Sequence, residues 1–152
     1  MAEFKRNNLT SALSYKDPKA ALDWLERAFG FDLVMVITDA DGNIGHSEMR
    51  YGDSMIMVGS EWSDDHKSPA SMGGKNTQSV HVHMKGDIDA HCEHARKAGA
   101  EIIQEPDTQF YGDRTYRARD PEGHIWTFGQ TVKVLSPEDW DKASGLTTKM
   151  YP

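Results

Sequence analysis

A single cysteine, Cys92, stands in a chain of 152 residues, which excludes an intrachain disulfide and agrees with a reducing, cytoplasmic setting. Basic residues are in the minority: 17 lysines and arginines face 24 aspartates and glutamates, for a net charge of −7. The two signs are mixed along the chain, so the basic stripe that nucleic-acid binding needs is missing. An acidic surface keeps a protein in solution and favours cationic over anionic ligands. Long apolar runs are missing too. No window approaches the roughly 18 apolar residues of a membrane span, and the opening stretch MAEFKRNNLTSALSY lacks the apolar centre of a signal peptide. These absences predict a soluble, cytoplasmic protein with neither nucleic acid nor membrane as partner. No Ser-His-Asp set, P-loop or dinucleotide fingerprint is present either.

What the chain does contain is a repeat. Residues 9–15, LTSALSY, alternate like a half-buried strand. DPKAALDWLERAFGF then reads as a helix, with Asp17 as cap, Pro18 in the first turn and Gly30 as a left-handed stop. Ala21, Leu22, Leu25, Ala28 and Phe29 form its apolar stripe. Three strands follow: DLVMVITD, IGHSEMRY and SMIMVGS, separated by the turns DADGN and YGD. After a polar stretch at 60–77 the order recurs as SVHVHM, GDIDAHCEHARKAGA, EIIQEP, RTYRARD and HIWTFGQ. Gly30 and Gly99 are 69 positions apart, as are Arg50 and Arg119, and a one-residue slip at the last turn aligns Met55 with Ile125. Two copies of strand–helix–strand–strand–strand therefore make up an α+β fold. The expected boundaries within one domain of 1–152 are a first module at about 8–59, a linker loop at 60–77, a second module at about 78–130 and a C-terminal extension at 131–152. A short helix capped by Ser136 and Pro137 is expected in that extension.

The stretches DPKAALDWLERAFGF, RYGDSMIMVGSEW, SPASMGG, DIDAHCEHARKAGAEI and QFYGDRTYRARDPEGHIWTF, in this order over residues 8–130, resemble the vicinal oxygen chelate superfamily. That superfamily groups glyoxalase, bleomycin-resistance and extradiol-dioxygenase proteins, and the nearest likeness is to its small bacterial, PhnB-like branch. The resemblance implies two tandem βαβββ modules whose curved sheets form a U-shaped, eight-stranded cleft with helices on the convex side, in a homodimer. Metal-dependent members take four ligands, His or Glu as a rule, from the first and last strand of each module. Those positions fall here on Thr10, Met57, Ser79 and Thr127. None offers the imidazole, thiolate or carboxylate that Zn²⁺, Fe²⁺ or Mn²⁺ prefer, so no metal or other cofactor is expected at the usual site.

His81 and His83 share a strand face with Ser79, opposite Val80, Val82 and Met84, and should face the cleft. A divalent metal at a relocated site would need them to converge with His46 or Glu48 within about 4–5 Å. As acid–base groups, the candidates are His81, His83 and Glu48. His46, Glu48 and Arg50 alternate along one strand, with Thr115, Arg117 and Arg119 as counterparts, either on a solvated face or pointing into the cleft. The expected ligand-contacting set is Thr10, Ala12, Met55, Met57, Ser79, His81, His83, Tyr111, Arg114, Ile125 and Thr127. Tyr111 and Arg114 enter it from the QFYGDR turn, where Arg114 has the alternative of an ion pair with Asp113 or Asp120. Trp62 in the linker can close over the cleft or simply lie on the surface. Cys92, on a helix's buried stripe, reads as an inert core thiol. The preferred function is a binder of a small organic molecule; the alternative is a lyase, isomerase or dioxygenase using a metal, or a metal-free acid–base enzyme, on the cleft histidines.

Overall fold

A computed structural model describes residues 6–152; the first five residues of MAEFKRNNLTSALSY lie outside the described residues. The repeat read from the sequence is visible in the element order: β1 (Ser11–Tyr15), α1 (Pro18–Phe29), β2 (Asp32–Thr38), β3 (Ile44–Tyr51) and β4 (Ser54–Ser60), then β5 (Val80–His83), α2 (Ile88–Lys97), β6 (Glu101–Thr108), β7 (Asp113–Arg119) and β8 (Ile125–Thr131). A third helix, α3 (Pro137–Ser144), follows. Each set forms a four-stranded sheet, ordered β1-β4-β3-β2 and β5-β8-β7-β6. The first and last strands of each set pair in parallel, and the others are antiparallel. The registers repeat as well: Ala12 lies opposite Met57 in the first sheet, and His81 opposite Thr127 in the second.

Local chemistry explains the helices. The Asp17 side chain accepts the Ala20 N–H at 3.0 Å, Pro18 opens α1, and Gly30 closes it in the left-handed region at φ 83°. Trp24 joins the expected stripe of α1 in the core and donates its indole N–H to the Ala98 carbonyl at 2.8 Å, tying α1 to the end of α2. In α2 the buried face is Ile88, Cys92 and Ala95, as its spacing predicts. A box between Ser136 and Asp139 caps α3, which buries none of its residues.

One core serves both sheets. Leu13, Tyr15, Met49, Ile56 and Val58 from the first sheet, and Val82, Tyr116, Ala118, Trp126 and Phe128 from the second, turn the same way, toward the helices. Phe29 lies against Trp126 and Phe128 with centroids 5.6 and 4.7 Å away, and Phe31 against Trp126 at 5.4 Å. His91 of α2 closes this layer. Its Nδ1 meets the Tyr116 hydroxyl at 2.6 Å and its Nε2 the Phe29 carbonyl at 2.9 Å. A carbonyl can only accept, so Nε2 carries the proton and Nδ1 accepts from the tyrosine: the neutral imidazole fits this place.

The turn DPEG (120–123) adds a polar staple. Buried Asp120 accepts the Tyr15 hydroxyl at 2.6 Å, the Trp126 indole N–H at 3.1 Å and the backbone N–H groups of Glu122 and His124 at 3.0 Å each. Glu122 accepts the N–H groups of Lys16 and Asp17 and the hydroxyl of Ser68. His124 is buried, with its ring against Tyr15 and Nε2 on the Ser14 carbonyl. Burial, and next the charge of Asp120, push the Tyr15 phenol well above its ordinary value.

Two outcomes follow from this packing. Asp120→Ala strands three buried donors, the Tyr15 hydroxyl, the Trp126 indole and the His124 N–H, and is expected to cost about 3–5 kcal/mol, read as a lowered urea midpoint by tryptophan fluorescence. Burial, the largest influence, lowers the pKa of His91 below its ordinary 6.5. The unfolded chain therefore takes up the proton more readily, so stability falls as pH drops below about 6.5. His91→Gln should flatten that part of the stability–pH curve, with a pH-independent fall at that position counting against the assignment.

Candidate functional site

The faces turned away from the helices carry the polar residues. On the first sheet one cross-strand row runs Ala12, Met57, Glu48, Met35. Its counterpart on the second sheet runs His81, Thr127, Arg117, Gln104. Glu48 and Arg117 occupy equivalent places, 69 positions apart, with opposite charge. The Arg117 Nε donates to Thr127 Oγ1 at 3.0 Å. Glu48 is fully buried and is held by Arg6 from the segment ahead of β1, one guanidinium nitrogen to each carboxylate oxygen, the Nη2–Oε2 contact being 3.2 Å. The His46 Nε2 lies 3.8 Å from Oε1. The hydrogen bond from Arg6 is the main cause of a Glu48 pKa below the ordinary carboxylate value.

His81 and His83 are exposed, on the side of β5 opposite Val82 and Met84, which are buried in the core. Space for the His81 ring comes from Gly129, where an added Cβ would lie 3.1 Å from the imidazole Nε2. A cavity of about 360 Å³ opens beside these histidines. Met55, His81 and His83 line it together with Phe31, Tyr51 and the core-side Ile56, Val80 and Val82, and Asn7 and Leu9 of the amino-terminal segment border it. Its volume and its mixture of apolar wall and few polar groups suit a small organic molecule.

The remaining expected residues are distributed as follows. Thr10 and Ser79 lie immediately before β1 and β5, and Met57, Ile125 and Thr127 are on the helix-free faces by strand alternation. Tyr111 sits in the turn between β6 and β7, edge-on to Phe110. Arg114 corrects the expectation. It shares the face of Tyr116 and Ala118, toward the helices, where its Nε donates to Asp89 Oδ1 of α2 at 3.0 Å. It pairs with neither Asp113 nor Asp120, because β7 alternation points Thr115 and Arg117, not Arg114, to the open face. Trp62 is exposed and stacks on His66 at 4.0 Å.

Among the described residues, the triad of His, Cys, Asp or Glu with donor atoms within 4.8 Å is Cys92, Glu93 and Glu105. His46, Glu48, His81 and His83 form no such group. Arg96 already bonds both glutamates, and burial pushes the Cys92 thiol up to about 11, so this triad is an ion-paired helix edge. Thr10, Met57, Ser79 and Thr127 present three hydroxyls and a thioether, a donor set that does not fit Zn²⁺, Fe²⁺ or Mn²⁺. Arg6 is the main omission of the sequence reading: a lone arginine before the first strand carries no pattern that marks it as a partner for residue 48.

The sequence matches the family profile of the Glyoxalase/Bleomycin resistance protein/Dioxygenase superfamily over residues 9–128. The chain belongs to that superfamily. The uncharacterized protein Rv0887c of Mycobacterium tuberculosis is 27% identical over 135 residues, 86% of this chain and 78% of that one. The crystal structure of TioX from Micromonospora sp. ML1 matches with a TM-score of 0.64 and 32% identity, covering 82% of this chain and 98% of TioX. TnmS3, an antibiotic-binding protein from Streptomyces sp. CB03234, shares the fold with a TM-score of 0.64 at 20% identity, over 86% of this chain and 98% of its own.

Arg114→Ala is expected to cost about 0.5–1 kcal/mol through its half-exposed ion pair and to leave the His81 imidazole NMR signals in place. Gly129→Ala should shift those signals, because the new methyl occupies the space beside the ring. Unmoved His81 signals in Gly129→Ala would contradict this placement.

Proposed function

We propose that this superfamily member binds a small organic molecule in the cavity beside His81 and His83 and along the helix-free faces of its sheets, without a metal at the superfamily's usual ligand positions. The observation that carries this reading is a 360 Å³ cavity lined by Met55, Phe31, Tyr51, His81 and His83; the positions where metal-dependent relatives place imidazole and carboxylate hold hydroxyl and thioether groups instead. Met55 adds a polarizable group to the apolar wall formed by Phe31 and Tyr51, which adapts to irregular ligands. The imidazoles of His81 and His83 supply polar contacts that set orientation. The antibiotic-binding activity in the name of TnmS3, on the same fold, supports the same reading.

The finer features belong to the proposal. The whole chain acts as one domain, with modules at about 8–59 and 78–130 joined by the 60–77 loop. Exposed Leu33, Val36 and Ile37 on the edge strand β2 support a homodimer. The lone, buried Cys92 supports a cytoplasmic setting. No helix of the described residues is long and apolar enough to cross a membrane.

A thermal-shift screen against aromatic metabolites and antibiotics tests the reading. A ligand at 100 times its Kd should stabilise the fold by about 2.7 kcal/mol, and His81→Ala should weaken that ligand about tenfold. Near-stoichiometric zinc, iron, manganese or nickel in protein purified without chelator, lost in His81→Ala, would overturn the metal-free part. A screen without a stabilising compound would overturn the binding part.

A further inference from the structure

The Glu48 carboxylate is a buried anion on a face that otherwise offers Met35, Met57 and Ala12 as cross-strand neighbours. Burying an ionised carboxylate is costly unless a cation meets it with good geometry. The His46 imidazole of β3 lies 3.8 Å from Oε1, but the guanidinium that meets both oxygens is not part of the sheet. Arg6 reaches in from the segment ahead of β1, leaves half of its side chain in solvent, and places its two terminal nitrogens on the two carboxylate oxygens. Asn7 and Leu9 of the same segment border the cavity that contains Met55, His81 and His83. A planar, forked donor thus already occupies the anionic point of the open face, on a tether that is half-exposed.

We infer that Arg6 is an internal stand-in for the ligand's cationic group. The site takes an amidinium or guanidinium carried on an apolar, aromatic body, and such a ligand displaces Arg6 from Glu48. This inference rests on the ligand-binding reading above and deepens it. The fork geometry favours a planar bidentate cation over a point-charge ammonium, since two parallel N–H groups match a carboxylate. The flanking methionines accept the ring. Because the tethered arginine competes at the high effective concentration of a short linker, it lowers the apparent affinity of any cation that needs the same carboxylate.

The test uses the benzamidinium ion and its neutral isostere benzamide, titrated calorimetrically into the full chain. Arg6→Ala should bind benzamidinium about tenfold more tightly than the parent protein, while benzamide changes by less than about twofold. Adding Glu48→Gln, which keeps the side chain's shape, should remove the gain. An equal gain for benzamide, no gain for benzamidinium, or a gain that survives Glu48→Gln would overturn the inference. If the double variant does not fold, the contrast between the two probes in Arg6→Ala decides alone. Screening hits whose affinity ignores both Arg6 and Glu48 would refute this inference and leave the binding reading standing. A screen without hits would remove the binding reading instead.

Discussion

The carboxylate of Asp120 is the buried polar junction between the two halves of the molecule. A buried anion with hydrogen bonds from Tyr15 of β1, the Trp126 indole and two backbone N–H groups is positioned from both sheets at once. Around it, Phe29, Phe31, Trp126 and Phe128 build a single aromatic layer from both repeats. Because the helix-covered faces are used up in this shared core, the opposite faces carry the rows from Ala12 to Met35 and from His81 to Gln104. The cavity of about 360 Å³ draws on both sides of the sheets, with His81 and His83 from the helix-free face and Ile56 and Val82 from the helix-covered one.

The duplication also explains how an internally symmetric chain acquires two different walls. Equivalent positions keep their direction, since strand alternation is preserved, but not their chemistry. Ala12 corresponds to His81, Met57 to Thr127 and Glu48 to Arg117. One wall is a methionine-rich surface around a buried acid; the other is a polar surface of imidazole, hydroxyl and guanidinium.

Much of this was legible in the residues because it rests on local rules. Asp17, Pro18 and Gly30 delimit α1 by capping chemistry that operates within one turn. The 69-residue offset, with a one-residue slip at the last turn, related the strands of the two repeats, while the face taken by His46, Glu48 and Arg50 stayed open. Alternation alone would also have placed Arg114 with Tyr116, on the helix side; reading the QFYGDR turn as a source of ligand contacts obscured that. Trp24 escaped the stripe of α1 because its indole partner, the Ala98 carbonyl, lies in the other repeat. The DPEG turn was recognisable as a turn, yet its role as a staple depends on Tyr15, more than a hundred residues away.

The sequence by itself determined the elements, their duplication and the superfamily likeness. Each follows from short-range periodicity or residue identity, which a linear chain displays directly. Only the tertiary structure decided that Glu48 is buried and paired to Arg6, that His81 lies over Gly129, and that His46 and Glu48 do not converge with His81 and His83. Those facts depend on distances between side chains far apart in the chain. Packing sets such distances, and no local pattern encodes them.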